Sequence, residues 1–284
     1  MTGFSRLQHE ADALGAGLPP LMVAADRLAA SVSLGVHGRR KAGIGESFWQ
    51  FRRYRGDDSY ARIDWRQSAK SQHLYVRERE WESAQTVWFW RESGPNMRFA
   101  SASISKLERA NLLLLSLASL LVRGGERVGF LGADSLPAAS RYALSRIGHN
   151  LFDKRQSESD LPPEASMARG AQLVWLGDFL NPGAMERMER MARAGISGHL
   201  VRVMDPAEED FPYTGRARFE SGKSDSALFG RAESVGDSYR ARFAAHGEAI
   251  AHAANRLGWT ATSHRTDHAP QSALIALYSA IGPG

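Results

Sequence analysis

Seven charged residues crowd one short stretch of the chain, Arg53, Arg55, Arg62 and Arg66 among Asp57, Asp58 and Asp64. Guanidinium and carboxylate groups at that density form directional, bidentate pairs, which can lock a loop that has few core contacts of its own. Asp64 is expected to pair with a neighbouring arginine, and Gly56-Asp57 reads as a turn. Arginines left over from the pairing, above all Arg39-Arg40-Lys41 in a glycine-flanked loop, are available to an acidic partner. Rings are interleaved with these charges: Phe48, Trp49, Phe51, Tyr54, Trp65 and Tyr75. Arginines can hold phosphates while rings stack on bases, so nucleic acid is one partner such a segment could take. The acidic residues of the same segment weigh against it, and Trp65 and Tyr75 read equally well as packing anchors against a neighbouring domain.

Other motifs do not survive inspection. Gly222-Lys223-Ser224 lacks the glycine five positions earlier that a phosphate loop needs, since Ala217 stands there. Gly43-Ile44-Gly45-Glu46-Ser47-Phe48 lacks the third glycine of a dinucleotide fingerprint. No His-Glu-x-x-His or Gly-x-Ser-x-Gly pattern occurs, and His264 and His268 bracket a turn rather than share a helix face. With no cysteine, disulfides, thiolate metal sites and a cysteine nucleophile are excluded.

Lys plus Arg (36) exceed Asp plus Glu (31), a net charge of +5 over 284 residues. His37–Glu80 alone holds 11 basic and 6 acidic residues, so the whole excess lies in that segment and the remaining body is neutral. The longest apolar stretch, Leu112–Val122, is interrupted by Ser116 and Ser119 and is about half the ~20 residues of a bilayer span. No export signal is read near Met1, and a cytoplasmic protein with no membrane span is expected.

The elements that must position these residues are legible in outline. Two short helical pieces broken at Pro19-Pro20 open the chain, and Phe48–Tyr54 and His73–Arg79 read as strands. From about Ala84 strands and helices alternate: strands Thr86–Trp90, Arg127–Leu131, Gln172–Leu176, His199–Met204 and Thr260–His264. Between and after them come helices over Ile104–Val122, Leu136–Asp153, Gly183–Arg193, Gly230–Leu257 and Pro270–Ile281, with short strands at Ala217–Glu220 and Ala227–Phe229. Strands apolar on both faces and joined by helices imply a parallel sheet covered on both sides, an α/β doubly wound, Rossmann-like domain over residues 84–284. Residues 1–83 form a small helical and strand-rich element before it.

The stretch Gly45-Glu46-Ser47-Phe48, Arg53-Tyr54-Arg55-Gly56-Asp57, Arg62-Ile63-Asp64-Trp65 and Tyr75-Val76-Arg77-Glu78 resembles the signature of the bacterial family called domain of unknown function 58. Leu176-Gly177-Asp178-Phe179-Leu180 and Val203-Met204-Asp205-Pro206-Ala207-Glu208 extend the resemblance to nearly the whole chain, from Gly35 to Ile281. It implies a von Willebrand factor A-like sheet domain, and Arg39, Arg40, Arg53, Arg55, Asp57, Arg62, Asp64, Trp65 and Arg77 as binding residues of the signature. Domains of that kind hold a divalent cation with Asp-x-Ser-x-Ser and a later Asp. Aligned on Met97, this chain offers Glu92, Gly94 and Asn96 in the first loop and Asp178 in the later one, a degenerate set for Mg²⁺, which demands octahedral oxygen ligands. Asp178 equally reads as a helix N-terminal cap. No cofactor is expected. The family's association with MoxR-type AAA+ ATPases implies a non-catalytic adaptor in protein maturation or complex assembly; nucleic-acid binding and a metal-dependent site at the sheet edge are the alternatives.

Overall fold

The computed structural model describes residues 21–33, 48–55, 58–79, 84–152, 158–164, 167–220 and 226–281. It divides into two compact units, Met1–Gly38 with Gln85–Gly284, and Arg39–Ala84.

A helix over residues 21–33, α1, contributes Ala25, Leu28, Ala29 and Val32 to the core of the larger unit. The N-terminal segment is thus not one piece up to residue 83, as the sequence had implied: α1 goes with the sheet. Asp26 on α1 accepts from Ser119 Oγ at 2.7 Å and from Arg123 at 3.1 Å.

In the smaller unit β1 (Phe48–Arg53) pairs antiparallel with β2 (Tyr75–Arg79). Between them a 3-10 turn, Tyr60–Arg62, leads to one helical turn, α2 (Trp65–Ser68). Asp64 caps α2 by accepting the Gln67 amide at 2.9 Å. Ser68 Oγ donates to the Asp64 carbonyl and accepts the Tyr75 amide, which ties α2 to β2.

The larger unit is built on a five-stranded parallel sheet: β3 (Thr86–Arg91), β4 (Arg127–Phe130), β5 (Gln172–Gly177), β6 (Ser197–Met204) and, after a hairpin of β7 (Ala217–Glu220) and β8 (Ser226–Phe229), β9 (Thr260–Arg265). Its order is β4-β3-β5-β6-β9. The helices are α3 (Lys106–Arg123), α4 (Arg141–Phe152), α5 (Ala184–Arg193), α6 (Pro206–Asp210), α7 (Glu233–Arg256) and α8 (Pro270–Ile281). The step from β3 to β4 runs one way along the sheet and every later step between neighbours runs the other. Crossovers of one hand therefore place α3 and α5 on opposite faces, where α3 packs with α8 and α5 with α7. This double cover is why β5 and β6 are buried on both sides, and why α3 is apolar almost all round. A mixed α/β fold with a parallel, Rossmann-like sheet is what the sequence pattern implied.

Candidate functional site

In a doubly wound sheet, ligands bind beyond the carboxyl ends of the strands where the winding reverses. Here that point lies between β3 and β5. The residues that leave those ends, Glu92 after β3, Asp178 and Phe179 after β5 and Asp205 after β6, are all buried.

Glu92, 1% exposed, reaches across from β3 to the loop after β5. Its Oε2 accepts the backbone amides of Asp178 at 3.0 Å and Phe179 at 3.2 Å. Gly177 leaves the room for this, since a Cβ there would collide with the Glu92 carboxyl group. Phe179 turns the chain with φ of +58°, an uncommon conformation for a bulky residue, and its ring packs on Trp175 at 5.2 Å. Burial, then the Asp178 charge and a hydrogen bond to the Asp178 carboxyl, holds the Glu92 carboxyl well above the usual carboxylate range. Glu92 Oε1 meets no protein donor. A proton on Glu92 accounts for both observations, because the acid then donates to Asp178 and carries no uncompensated buried charge.

Lys106 stands at the first position of α3 with no exposed surface. Its ammonium bonds Asp178 Oδ2 at 3.1 Å and Glu208 Oε1 at 2.6 Å. Glu208 belongs to α6, where Asp205 and Glu208 form a capping box: Asp205 Oδ1 accepts the Ala207 amide at 2.9 Å and the Asp205 amide donates to Glu208 Oε2 at 2.9 Å. Asp205 also accepts the Ser101 amide at 2.8 Å and the Ser101 hydroxyl. His246 on α7 meets the Asp178 carbonyl at 3.0 Å. Burial and the negative charge of Glu208 push the Tyr239 phenol up to about 12. Beneath the cluster Arg91 is buried but bonded to Asn111 at 2.6 Å and to the Leu151 carbonyl at 2.8 Å.

Of the cation-loop residues proposed from sequence, the structure brings Glu92 and Asp178 together, while Asn96 sits exposed on the 3-10 turn Pro95–Arg98. Asp178 does not cap a helix. Its Oδ1 accepts the Leu180 amide at 3.1 Å, and α5 starts only at Ala184 after Gly183. A divalent cation does not fit this donor set. Asp178 and Glu208 face an ammonium, Glu92 Oε2 is committed to two amides, and the Asp160 carboxylate covers Gly94 where a Cβ would be. Among the described residues no three His, Asp or Glu side chains converge in metal-binding geometry. Sequence reasoning missed Lys106 and Glu208, which meet across 102 residues of sequence.

In the signature, Asp64 is the cap of α2, a role not expected of it, and Asp58 Oδ2 accepts the Arg55 amide at 2.8 Å. Trp65 is 62% exposed, Tyr60 70% and Leu74 40%. Tyr54 stacks on Tyr60 with ring centroids 5.6 Å apart. Arg53, the last residue of β1, and Arg55, two residues further on, lie at the surface. Arg62 and Arg77 fall in the 3-10 turn and in β2. Arg39, Arg40 and Asp57, with the Gly56-Asp57 turn and Gly222-Lys223-Ser224, lie outside the described residues.

A family model described as "Protein of unknown function DUF58" matches residues 50–253. An uncharacterized protein of Mycobacterium bovis is 23% identical over 243 residues, covering 79% of this chain and 76% of its own length. Uncharacterized proteins of two Mycobacterium tuberculosis strains match at the same identity and coverage. Among solved structures, a conserved hypothetical protein BatB from Bacteroides thetaiotaomicron aligns with a TM-score of 0.40 and 14% identity over 70% of this chain and 97% of that one.

Proposed function

We propose that this chain, which belongs to the DUF58 family of proteins of unknown function, is a non-catalytic adaptor whose small unit, Arg39–Ala84, docks a MoxR-type AAA+ ATPase. The observation that carries the reading is the exposure of Tyr60, Trp65 and Leu74 in one short segment of the small unit, which also carries the exposed Arg53, Arg55 and Arg66. Large apolar side chains at 62% and 70% exposure, framed by charge, mark protein contact surfaces, and aromatic and arginine side chains dominate such contacts. The sheet unit supports the same reading. Its switch-point crevice, the usual seat of a ligand, is filled by Glu92, Lys106, Asp178 and Glu208 bonded to one another or to backbone, which suits a rigid platform better than a reaction centre.

The finer assignments belong to this proposal: a von Willebrand A-like domain, action in the cytoplasm, and a role in protein maturation or complex assembly. Among the described residues no helix is long and apolar enough to cross a membrane. The test is gel filtration of the chain with a MoxR-type ATPase from the same organism, in ADP and in a non-hydrolysable ATP analogue. A co-eluting complex in one nucleotide state is expected, and none in either would overturn the proposal. A parallel titration with single-stranded oligonucleotide is expected to stay blank; salt-sensitive binding would move the aromatic face to nucleic acid.

A further inference from the structure

A buried ammonium at the start of a helix is doubly disfavoured, by desolvation and by the positive end of the helix dipole, and persists only where carboxylates hold it. Lys106 is in that position, with no exposed surface, and the two carboxylates that hold it come from two different segments of the chain. Asp178 follows β5, and Glu208 lies in α6 just past β6. The ammonium therefore fastens the start of α3 to the segments that follow two neighbouring strands, β5 and β6, beside the point between β3 and β5 where the sheet changes winding direction. A divalent ion bound there would join the same segments. Among the described residues the remaining carboxylate oxygens of the crevice are engaged as well, Glu92 Oε2 with two amides, Glu208 Oε2 with the Asp205 amide and Asp205 with Ser101 and Ala207, and only Glu92 Oε1 meets no protein donor.

We propose that the Lys106 ammonium is the resident cation of this crevice, a tethered substitute for a divalent metal ion, so that the sheet unit is assembled without one. The inference stands apart from the adaptor reading, since neither the partner nor the aromatic face of the small unit enters it. It also says what removal of the ammonium would do. Asp178 and Glu208 would then lose the ammonium bonded to both and keep only the more distant charge of the buried Arg202, and a hard divalent cation, of which Ca²⁺ tolerates irregular oxygen geometry best, would be drawn to them.

Thermal unfolding with chelator, Mg²⁺ or Ca²⁺ tests this on the wild type, Lys106→Ala, Lys106→Met and Lys106→Ala combined with Asp178→Asn. The wild type is expected to melt at one temperature in all three solutions. The two lysine variants are expected to melt lower with chelator and to regain roughly 5 °C or more in millimolar Ca²⁺, the size of shift that a site well above half-saturation gives a domain of this length. The double variant is expected to regain nothing. A wild type stabilised by Mg²⁺ or Ca²⁺, with the gain abolished by Asp178→Asn, would overturn the proposal. Lysine variants that stay unresponsive, or unfolded, with and without the cation would overturn it as well.

Discussion

Glu92 shows what burial does to a single carboxyl. Burial, and then the neighbouring Asp178 charge, hold its ionisation well above the usual carboxylate range, and the neutral form can both accept two amides and donate to Asp178. An amide offers the same pattern, so Glu92→Gln is expected to match the wild type within about 1 kcal/mol below the unfolded carboxylate range, near pH ~4, and to be the more stable of the two at neutral pH, read from urea unfolding. The pH dependence has a definite sign. With a folded-state pKa raised above the unfolded one, Glu92 contributes stability in full below the unfolded value, and that contribution is lost as pH rises toward the folded value. The loss runs at about 1.4 kcal/mol per pH unit while only the folded state holds the proton. His264 acts in the opposite direction. Burial, with Arg109 and His268 nearby, lowers it to about 4, so it withdraws stability as pH falls from its unfolded value toward that point. The wild type minus Glu92→Gln difference isolates the Glu92 component and is expected to fall steadily as pH rises above the unfolded carboxylate range. A pH-independent difference would contradict the protonated state.

The loops at the strand ends work as elements, each locked by one small residue or one cap. Position 177 in β5 is a glycine because Glu92 lies where a side chain would be. Gly177→Ala is therefore expected to cost about 1–3 kcal/mol by overpacking, and most of that cost should vanish in a Glu92→Ala background, a double-mutant cycle that an independent backbone effect would not close. In β6, Gly198 faces Trp259, whose indole fills the space a Cβ would need, while the indole N–H donates to the Ile196 carbonyl at 3.0 Å. The strands and long helices of the sheet unit were legible from their apolar periods, and Glu92 and Asp178 through the resemblance to a family whose cation loops follow the corresponding strands. The turns α2 and α6 were not, because four or five residues carry no period; their only signals were Asp64 and the Asp205-to-Glu208 capping box. Lys106 was hidden for a different reason. A lysine at the edge of an apolar helix reads as a solvated end, and its partners Asp178 and Glu208 lie 72 and 102 residues away in sequence.

Over the whole molecule, charge and burial are divided between two units. The neutral sheet unit closes its own crevice and takes α1 into its core, where Leu28 is 7% exposed. Leu28→Ala is expected to lower its stability by about 2–4 kcal/mol through the cavity left, measured by chemical unfolding; a change under about 0.5 kcal/mol would show that α1 is not part of that core. The signature unit carries the basic excess and the exposed rings, and the charge count along the chain is enough to show that division. The location of the rings was not legible in the same way, because Trp65 and Tyr75 have the same apolar character and only the cap of α2 by Asp64 and the pairing of β1 with β2 set one at the surface and the other half inside. The most direct test of the adaptor reading is calorimetric titration of a MoxR-type ATPase with the wild type, Trp65→Ala and Glu92→Gln chains. Binding that weakens at least tenfold in Trp65→Ala, the effect of losing an aromatic anchor, and is unchanged in Glu92→Gln is the result predicted. Binding indifferent to Trp65 but lost with Glu92→Gln, or no binding by the wild type, would contradict the account.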